Sequence, residues 1–346
     1  MIRDFKEIID GLRAAGLVLR IFFAVTRPRL YFRVVFNHLK NAAGFRSPAS
    51  AVLGLTYRCQ LNCGHCSAGL YEKSGRSELT TGELKSLLLE IKDLGVPRVN
   101  LSGGEALLRK DIFEIIDFAS RYFVTVLESN GVAEDENVVR RLKAEGLACL
   151  AVSLDSPEPA EHDLLRGKEG LFVKALETLK TANRLGLPAL ISTYMTNERL
   201  SAENLEKLEK LRRETGALAV RIMPARPVGN FSCCEPLLLS PENEKFLLGN
   251  INRCFFYFKG LPGPEKCGIF LKNTFYVSPY GEVQPCAYLP LSFGKAGEKP
   301  LGGILEKMWD SPVFREAGTE NCLIIDKAFR EKHLSGAGKL PKKIED

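Results

Sequence analysis

Three cysteines stand close together in Cys59-Gln60-Leu61-Asn62-Cys63-Gly64-His65-Cys66, a C-x3-C-x2-C spacing. Thiolates are the soft ligands that iron–sulfur clusters take, and a loop this tight lets three of them face one cube of iron and sulfide. Three ligands for four irons leave one iron open. An open iron can chelate a small molecule through an amine and a carboxylate. Zinc is the competing reading, with His65 as a fourth ligand, but zinc sites usually pair one C-x2-C with a distant second pair. That layout is absent from this stretch.

Polar groups suited to holding such a molecule recur further along the chain. In Leu101-Ser102-Gly103-Gly104-Glu105, two glycines allow close backbone approach and a carboxylate offers itself to an ammonium. Ser129-Asn130-Gly131 is a polar turn, and Ser153-Leu154-Asp155-Ser156 is followed by Arg166, whose guanidinium suits a carboxylate. The plainer alternatives are a simple turn at the glycine pair and a surface Arg166 paired with Glu161 or Asp163. A second set of thiols, Cys267, Cys286 and Cys322, lies toward the C-terminus, whereas Cys149 falls within an apolar run and reads as a buried hydrophobe.

These residues need elements to present them. Ala51–Thr56 reads as a buried strand, and Thr80–Gly95 as a helix with Leu84, Leu87, Leu88 and Ile91 on one face. The alternation continues with strands at Arg98–Leu101, Phe123–Leu127, Ala148–Leu154, Ala189–Tyr194 and Ala217–Met223. Helices are expected between them at Lys110–Tyr122, Asn137–Gly146, Leu171–Gly186 and Ala202–Gly216. Strands separated by helices imply a parallel sheet, because each parallel crossover needs a helix to return the chain. Six units are fewer than the eight of a closed barrel, so the expectation is an open, partial (β/α)6 TIM-like barrel. The chemically suggestive residues follow the C-terminal ends of strands, where such sheets collect function. Beyond Arg226 the sequence predicts a helix over Ser240–Lys259, short strands near Phe275–Ser278 and Glu282–Gln284, a helix over Leu301–Ala317 and a flexible tail from Ser335.

The cysteine spacing after the first strand, His65 before the third cysteine, and the Gly103-Gly104-Glu105 turn together resemble the radical S-adenosylmethionine (SAM) superfamily. The resemblance implies a 4Fe-4S cluster on Cys59, Cys63 and Cys66. It also implies reductive cleavage of SAM to a 5′-deoxyadenosyl radical, which abstracts hydrogen from a substrate. It further implies a SAM site formed by Gly103, Gly104, Glu105, Ser129, Asn130, Ser153, Asp155 and Arg166, and a reducing partner such as flavodoxin or ferredoxin. The words around Cys267, Gly281 and Cys286 look like the SPASM or twitch extension. There a hairpin between two cysteines carries an auxiliary 4Fe-4S cluster, here with Cys322 as a third ligand. The fourth ligand stays open among Cys254, Cys233, Cys234 and the substrate. The division that follows is an N-terminal segment 1–50, a barrel core 51–230, an auxiliary region 231–334 and a tail 335–346.

The net charge of +6 resides in the first 50 residues, where nine Lys or Arg face three acids. Residues 2–26 and Leu30–Leu39 are apolar at helical spacing, too short and too interrupted to span a bilayer. Basic, aromatic helices of this kind suit an anionic membrane surface, or else cap the open barrel with their charges exposed. No RNA- or DNA-binding motif is present, so nucleic acid is not expected. The N-terminus lacks a signal peptide's order of charges and apolar core, and a cytoplasmic protein is expected, peripheral on the membrane if residues 1–45 bind lipid. A small cofactor precursor such as a tetrapyrrole, or a lipid, is the favoured substrate. A ribosomal peptide is the alternative, set lower because 50 residues cannot hold a leader-binding winged domain. From another class, a non-catalytic iron–sulfur carrier would have no use for an amino-acid pocket at Gly103, Gly104, Glu105 and Arg166.

Overall fold

The computed structural model describes residues 28–42, 47–71, 76–132, 135–232, 238–252, 255–258, 267–315, 322–334 and 340–344. Among them runs one nine-stranded sheet whose strands, β1 to β9, lie in the order β7-β6-β5-β4-β3-β2-β1-β8-β9. Strands β1 Ser50–Thr56, β2 Arg98–Gly103, β3 Val124–Ser129, β4 Cys149–Ser153, β5 Ala189–Met195, β6 Val220–Pro224 and β7 Phe256–Phe258 are successive parallel neighbours. Strand β8, Thr274–Val277, returns to pair parallel with β1, and β9, Val283–Gln284, folds back antiparallel on β8. The sheet stays open between β7 and β9, the incomplete barrel that its α/β pattern predicts.

Local sequence explains the helices. Helix α2, Thr81–Asp93, begins with a capping box in which Thr80 and Glu83 each bond the other's backbone, and it buries Leu84, Leu87, Leu88 and Ile91. Helix α3 is Ile112–Ser120, α4 is Glu136–Ala144 capped by Asp135, and α6 is Leu171–Arg184. Helix α7, Ala202–Thr215, is capped by Ser201. These helices and alternate strand residues such as Leu53, Leu101, Leu127, Leu150, Ile191 and Ile222 form one apolar core outside the barrel. Successive strand side chains point to opposite faces. Asn100, Glu128, Ser192 and Arg221 therefore line the interior.

Four local expectations differ from the structure. Pro159–Arg166 forms an additional helix, α5, which places Arg166 at a helix C-terminus. The helix expected over Ser240–Lys259 is α8, Pro241–Asn250, followed by β7, because Ile251 is extended and the aromatic run Phe256-Tyr257-Phe258 suits a strand. The expected helix Leu301–Ala317 is divided into α9, Leu301–Trp309, and α10, Pro312–Arg315, with Pro312 opening the second. In the tail, Lys342–Lys343 form a strand, β11, beside β10, Leu291–Ser292, with backbone bonds from Lys342 to Pro290 and from Ile344 to Ser292. A short helix, α11, spans Lys327–His333.

The N-terminal helix α1, Pro28–Ala42, packs at the end of the sheet where the strands begin. Leu30 joins Val124 and Ala148, and Arg33 donates to the carbonyls of Tyr122 at 2.7 Å and Lys92 at 3.1 Å. Asn37 is buried and donates to Ser47 Oγ at 2.9 Å and to the Pro48 carbonyl at 3.2 Å. The helix expected over 2–26 lies outside the described residues.

Candidate active site at the cysteine loop

Cys59, Cys63 and Cys66 occupy the loop that leaves β1, and neighbouring strand ends hold its backbone from several sides. Gly104 N donates to the Thr56 carbonyl at 2.6 Å and Glu105 N to the Arg58 carbonyl at 2.8 Å. That contact explains the glycine pair. Gly103 has φ +138°, and a Cβ at Gly103 or Gly104 would overlap the Thr56 or Arg58 carbonyl. From helix α5, the Leu165 carbonyl accepts from Gly64 N at 3.3 Å. From beyond β6, Asn230 Nδ2 donates to the Cys63 carbonyl at 2.9 Å and Asn230 N to the Cys66 carbonyl at 3.1 Å. Gly229 makes this approach at φ +63°, where a Cβ would strike the Cys66 carbonyl.

The Glu105 carboxylate is fully buried. It accepts from Leu107 N at 3.1 Å, Ser129 Oγ at 2.9 Å and Asn130 N at 2.9 Å. Burial raises its pKa against the pull of these bonds. Asn130 Nδ2 lies 3.6 Å from Cys59 Sγ, so the turn after β3 joins Glu105 to the first cysteine.

Asp155, at the end of β4, is the other buried carboxylate. Its Oδ2 accepts from Arg166 Nε at 2.6 Å and lies 3.2 Å from His65 Nε2, while Oδ1 accepts from Tyr194 N at 3.1 Å. Burial opposes its charge, yet Arg166 and His65 hold its pKa well below the usual carboxylate range. The His65 ring stacks on Tyr194 with centroids 4.5 Å apart, and Phe231 meets Tyr194 edge-on. His162, on α5, accepts from Asp155 N through Nδ1 at 3.0 Å, and burial lowers its pKa to about 4. Ser153 is half-buried at the end of β4. Seven candidate SAM residues, from Gly103 to Asp155, thus lie at the ends of β2, β3 and β4 or in the loops that follow. Arg166 joins them through Asp155 rather than pairing with Glu161 or Asp163.

The donor set fits an iron–sulfur cluster. Burial pushes the Cys63 thiol up to about 11, Arg166 pulls it down, and Cys66 and Cys59 push it further up, so the three sulfurs sense one another. Among the described residues no three His, Cys, Asp or Glu groups could share a single metal ion. A cube instead bonds each cysteine to a different iron, which sets the thiolates further apart than one metal ion would. His65 Nδ1 is buried without a hydrogen-bond partner among the described residues. With Nε2–H directed at Asp155, Nδ1 is an acceptor that a ligand donor would satisfy. Arg166 Nη1 and Nη2 have no hydrogen bond among the described residues, which leaves them for a carboxylate.

Residues 53–212 match the Radical SAM superfamily. That stretch is a radical SAM domain. A radical SAM enzyme implies a 4Fe-4S cluster and SAM, and the loop at Cys59, Cys63 and Cys66 has the chemistry to hold the cluster. The chain is similar to the AdoMet-dependent heme synthase of Methanosarcina barkeri, 28% identical over 303 residues, covering 76% of this chain and 82% of that one. It is similar to mycofactocin maturase MftC of Mycolicibacterium smegmatis, 29% identical over 292 residues, with 79% and 73% covered. In fold it resembles Streptococcus suis SuiB bound to S-adenosylmethionine, with TM-score 0.63 and 18% identity over 77% of this chain and 67% of that one.

The enzyme's second set of thiols lies on three separate segments. Cys267 precedes β8, Cys286 follows β9, and Cys322 precedes the short turn Leu323–Ile325. Burial pushes Cys286 up to about 12, with Cys267 and Cys322 adding to it, and pushes Cys267 up to about 11, with Cys322 adding again. Cys233, Cys234 and Cys254 lie outside the described residues, and Cys149 is buried within β4. Tyr71, just past the cysteine loop, stacks on Tyr57 at 4.8 Å and donates to Gln284 Oε1 at 3.0 Å, two residues before Cys286.

Sequence reasoning missed Asn230, His162 and the interior network. Glu128 accepts from Arg221 Nη1 at 2.8 Å, Ser102 Oγ at 3.0 Å and Asn100 Nδ2 at 3.4 Å, and Ser192 Oγ accepts from Arg221 Nη2 at 2.9 Å. The available signal was charge at inward positions of otherwise apolar strands: Glu128 beside Leu127, and Arg221 between Val220 and Ile222.

Proposed function

We propose that the enzyme holds a 4Fe-4S cluster on Cys59, Cys63 and Cys66, binds SAM at the ends of β2 to β4, and acts on a small organic cofactor precursor, tetrapyrrole-like in class. When bound, cluster and SAM supply reductive cleavage of SAM and removal of a substrate hydrogen. Gly103 and Gly104 let the backbone lie against the cysteine loop. Glu105, with Ser129 and Asn130, carries the negative charge that would meet an ammonium. Asp155 fixes Arg166, whose Nη atoms would take a carboxylate, and Ser153 borders them. The interior network around Glu128 and Arg221 offers the substrate hydrogen-bonding groups below SAM. Cys267, Cys286 and Cys322 would hold an auxiliary 4Fe-4S cluster in a twitch-like region, residues 231–334, attached to a barrel core of residues 51–230. The electron donor would be a flavodoxin or ferredoxin in the cytoplasm.

The observation that carries this reading is the Asp155 carboxylate. It joins His65 of the cysteine loop to Arg166 from another strand crossover at 3.2 and 2.6 Å, an arrangement an iron–sulfur carrier has no use for. A peptide substrate is the second reading, favoured by the 29% identity to mycofactocin maturase. Anaerobic reconstitution tests the assignment. The intact protein should hold about eight irons and form 5′-deoxyadenosine from SAM when reduced, and the Cys59→Ala, Cys63→Ala, Cys66→Ala variant should keep about four and form none. Product from the triple variant would refute the first site. A wild type with only about four irons would refute the second.

A further inference from the structure

Helix α1 is apolar on two sides, with Leu30 packed inward on Val124 and Ala148 and a second apolar row facing outward. Its polar groups Arg33 and Asn37 face the barrel and are spent on carbonyls and Ser47. Its outer side presents Phe32, Val35, Phe36 and Leu39, 77%, 48%, 58% and 62% exposed. Their spacing of three, four and seven places them in one stripe along the helix. Single exposed apolar residues are ordinary, but two phenylalanines and two aliphatics in one row are not. Lys40 lies over the Phe36 ring with Nζ 4.9 Å from its centroid. Residues 11–50 carry seven Lys or Arg and no acid.

We propose that this face docks on an anionic phospholipid surface, with the stripe in the interface and the basic residues against the headgroups. The sequence charge of residues 11–50, basic and free of acids, selects an anionic lipid surface over a second copy of this chain, which would carry the same charge. Among the described residues no helix is long and apolar enough to cross a membrane, which leaves α1 to lie along one. The helix is clamped to the segments that enter β2 and β3, the end of the sheet remote from the cysteine loop. Docking there tethers the enzyme and leaves the site facing away, so it does not deliver a lipid substrate.

Vesicle sedimentation of the full-length protein tests this independently of iron content. Intact protein should pellet with phosphatidylcholine vesicles that contain phosphatidylglycerol and stay largely in solution with phosphatidylcholine alone. The Phe32→Ser, Phe36→Ser, Leu39→Ser variant should partition more than about tenfold less, because nearly all of the apolar contact is removed. Its SAM cleavage should be unchanged, since the three side chains lie far from the site. Wild-type protein in the supernatant at low salt would overturn the proposal, as would equal pelleting of the variant. A wild-type dimer in gel filtration that the variant converts to monomer would overturn it in favour of a second copy.

Discussion

Replacing Asp155 by Asn removes one charge from a buried ion pair and leaves the volume unchanged. Arg166 Nε donates to Oδ2 at 2.6 Å and His65 Nε2 lies 3.2 Å from the same atom. At an effective dielectric near 20, one charge pair at that separation is worth roughly 6 kcal/mol before desolvation is counted. The net worth is smaller, but stripping one partner from a buried pair costs about 3–5 kcal/mol, because the remaining charge stays buried without compensation. An amide can still accept from Tyr194 N through its oxygen, which turns its NH2 toward two donors. We therefore expect Asp155→Asn to lose about 3–5 kcal/mol of stability.

The measurement is urea unfolding of cluster-free protein followed by far-ultraviolet circular dichroism, so that iron binding does not enter. Arg166→Met added to Asp155→Asn removes the orphaned charge and should return about half of the loss, since an uncharged pair of similar volume is often tolerated. A loss under about 1 kcal/mol in the single variant would refute the reasoning, because that is the size of an exposed pair. Losses that merely add in the double variant would refute it too.

His162 gives a pH prediction. Its folded pKa is lowered to about 4 from an ordinary 6.5, so below pH 6.5 the unfolded chain binds more protons, and stability present above 6.5 is lost as pH falls toward 4. The loss should reach about 3 kcal/mol and shrink in His162→Gln, measured as the difference between the two unfolding free energies across that window. Asn230→Ala removes the bond from Nδ2 to the Cys63 carbonyl and should cost about 1 kcal/mol in urea unfolding, with faster loss of cluster absorbance to a chelator.

The cysteine loop, the strand alternation and the gathering of candidate residues at one end were legible because each is local. Thr80 and Glu83 announce α2 within four residues, and the three thiols fall within eight. The partners were not legible. Arg166 is followed by a left-handed Gly167 that ends α5, and only the return of that helix brings it to Asp155, which lies eleven residues earlier. Asn230 reaches a carbonyl 167 positions away, a contact set by the crossover after β6 and by no pattern near Asn230 itself. The strand β7 was hidden because Phe255 to Phe258 continue the apolar content of the preceding helix, and periodicity alone does not separate the two over so few residues.

How the two sets of thiols relate follows from the edge of the sheet. Strand β8 pairs with β1 in parallel, from Ser50 opposite Thr274 to Leu53 opposite Val277, so the segment that leads to Cys286 is built onto the strand that leads to Cys59. The Tyr57 and Tyr71 rings stack against each other, Tyr280 meets Tyr57 edge-on, and Tyr71 reaches Gln284. Gly54 is required here, because a Cβ would collide with Tyr276. A separate domain on a linker could vary its distance from the first site, whereas a strand in register cannot shift by one residue without turning every side chain to the other face. The segment that leads to Cys286 is therefore held in register with the strand that leads to Cys59 by backbone hydrogen bonds.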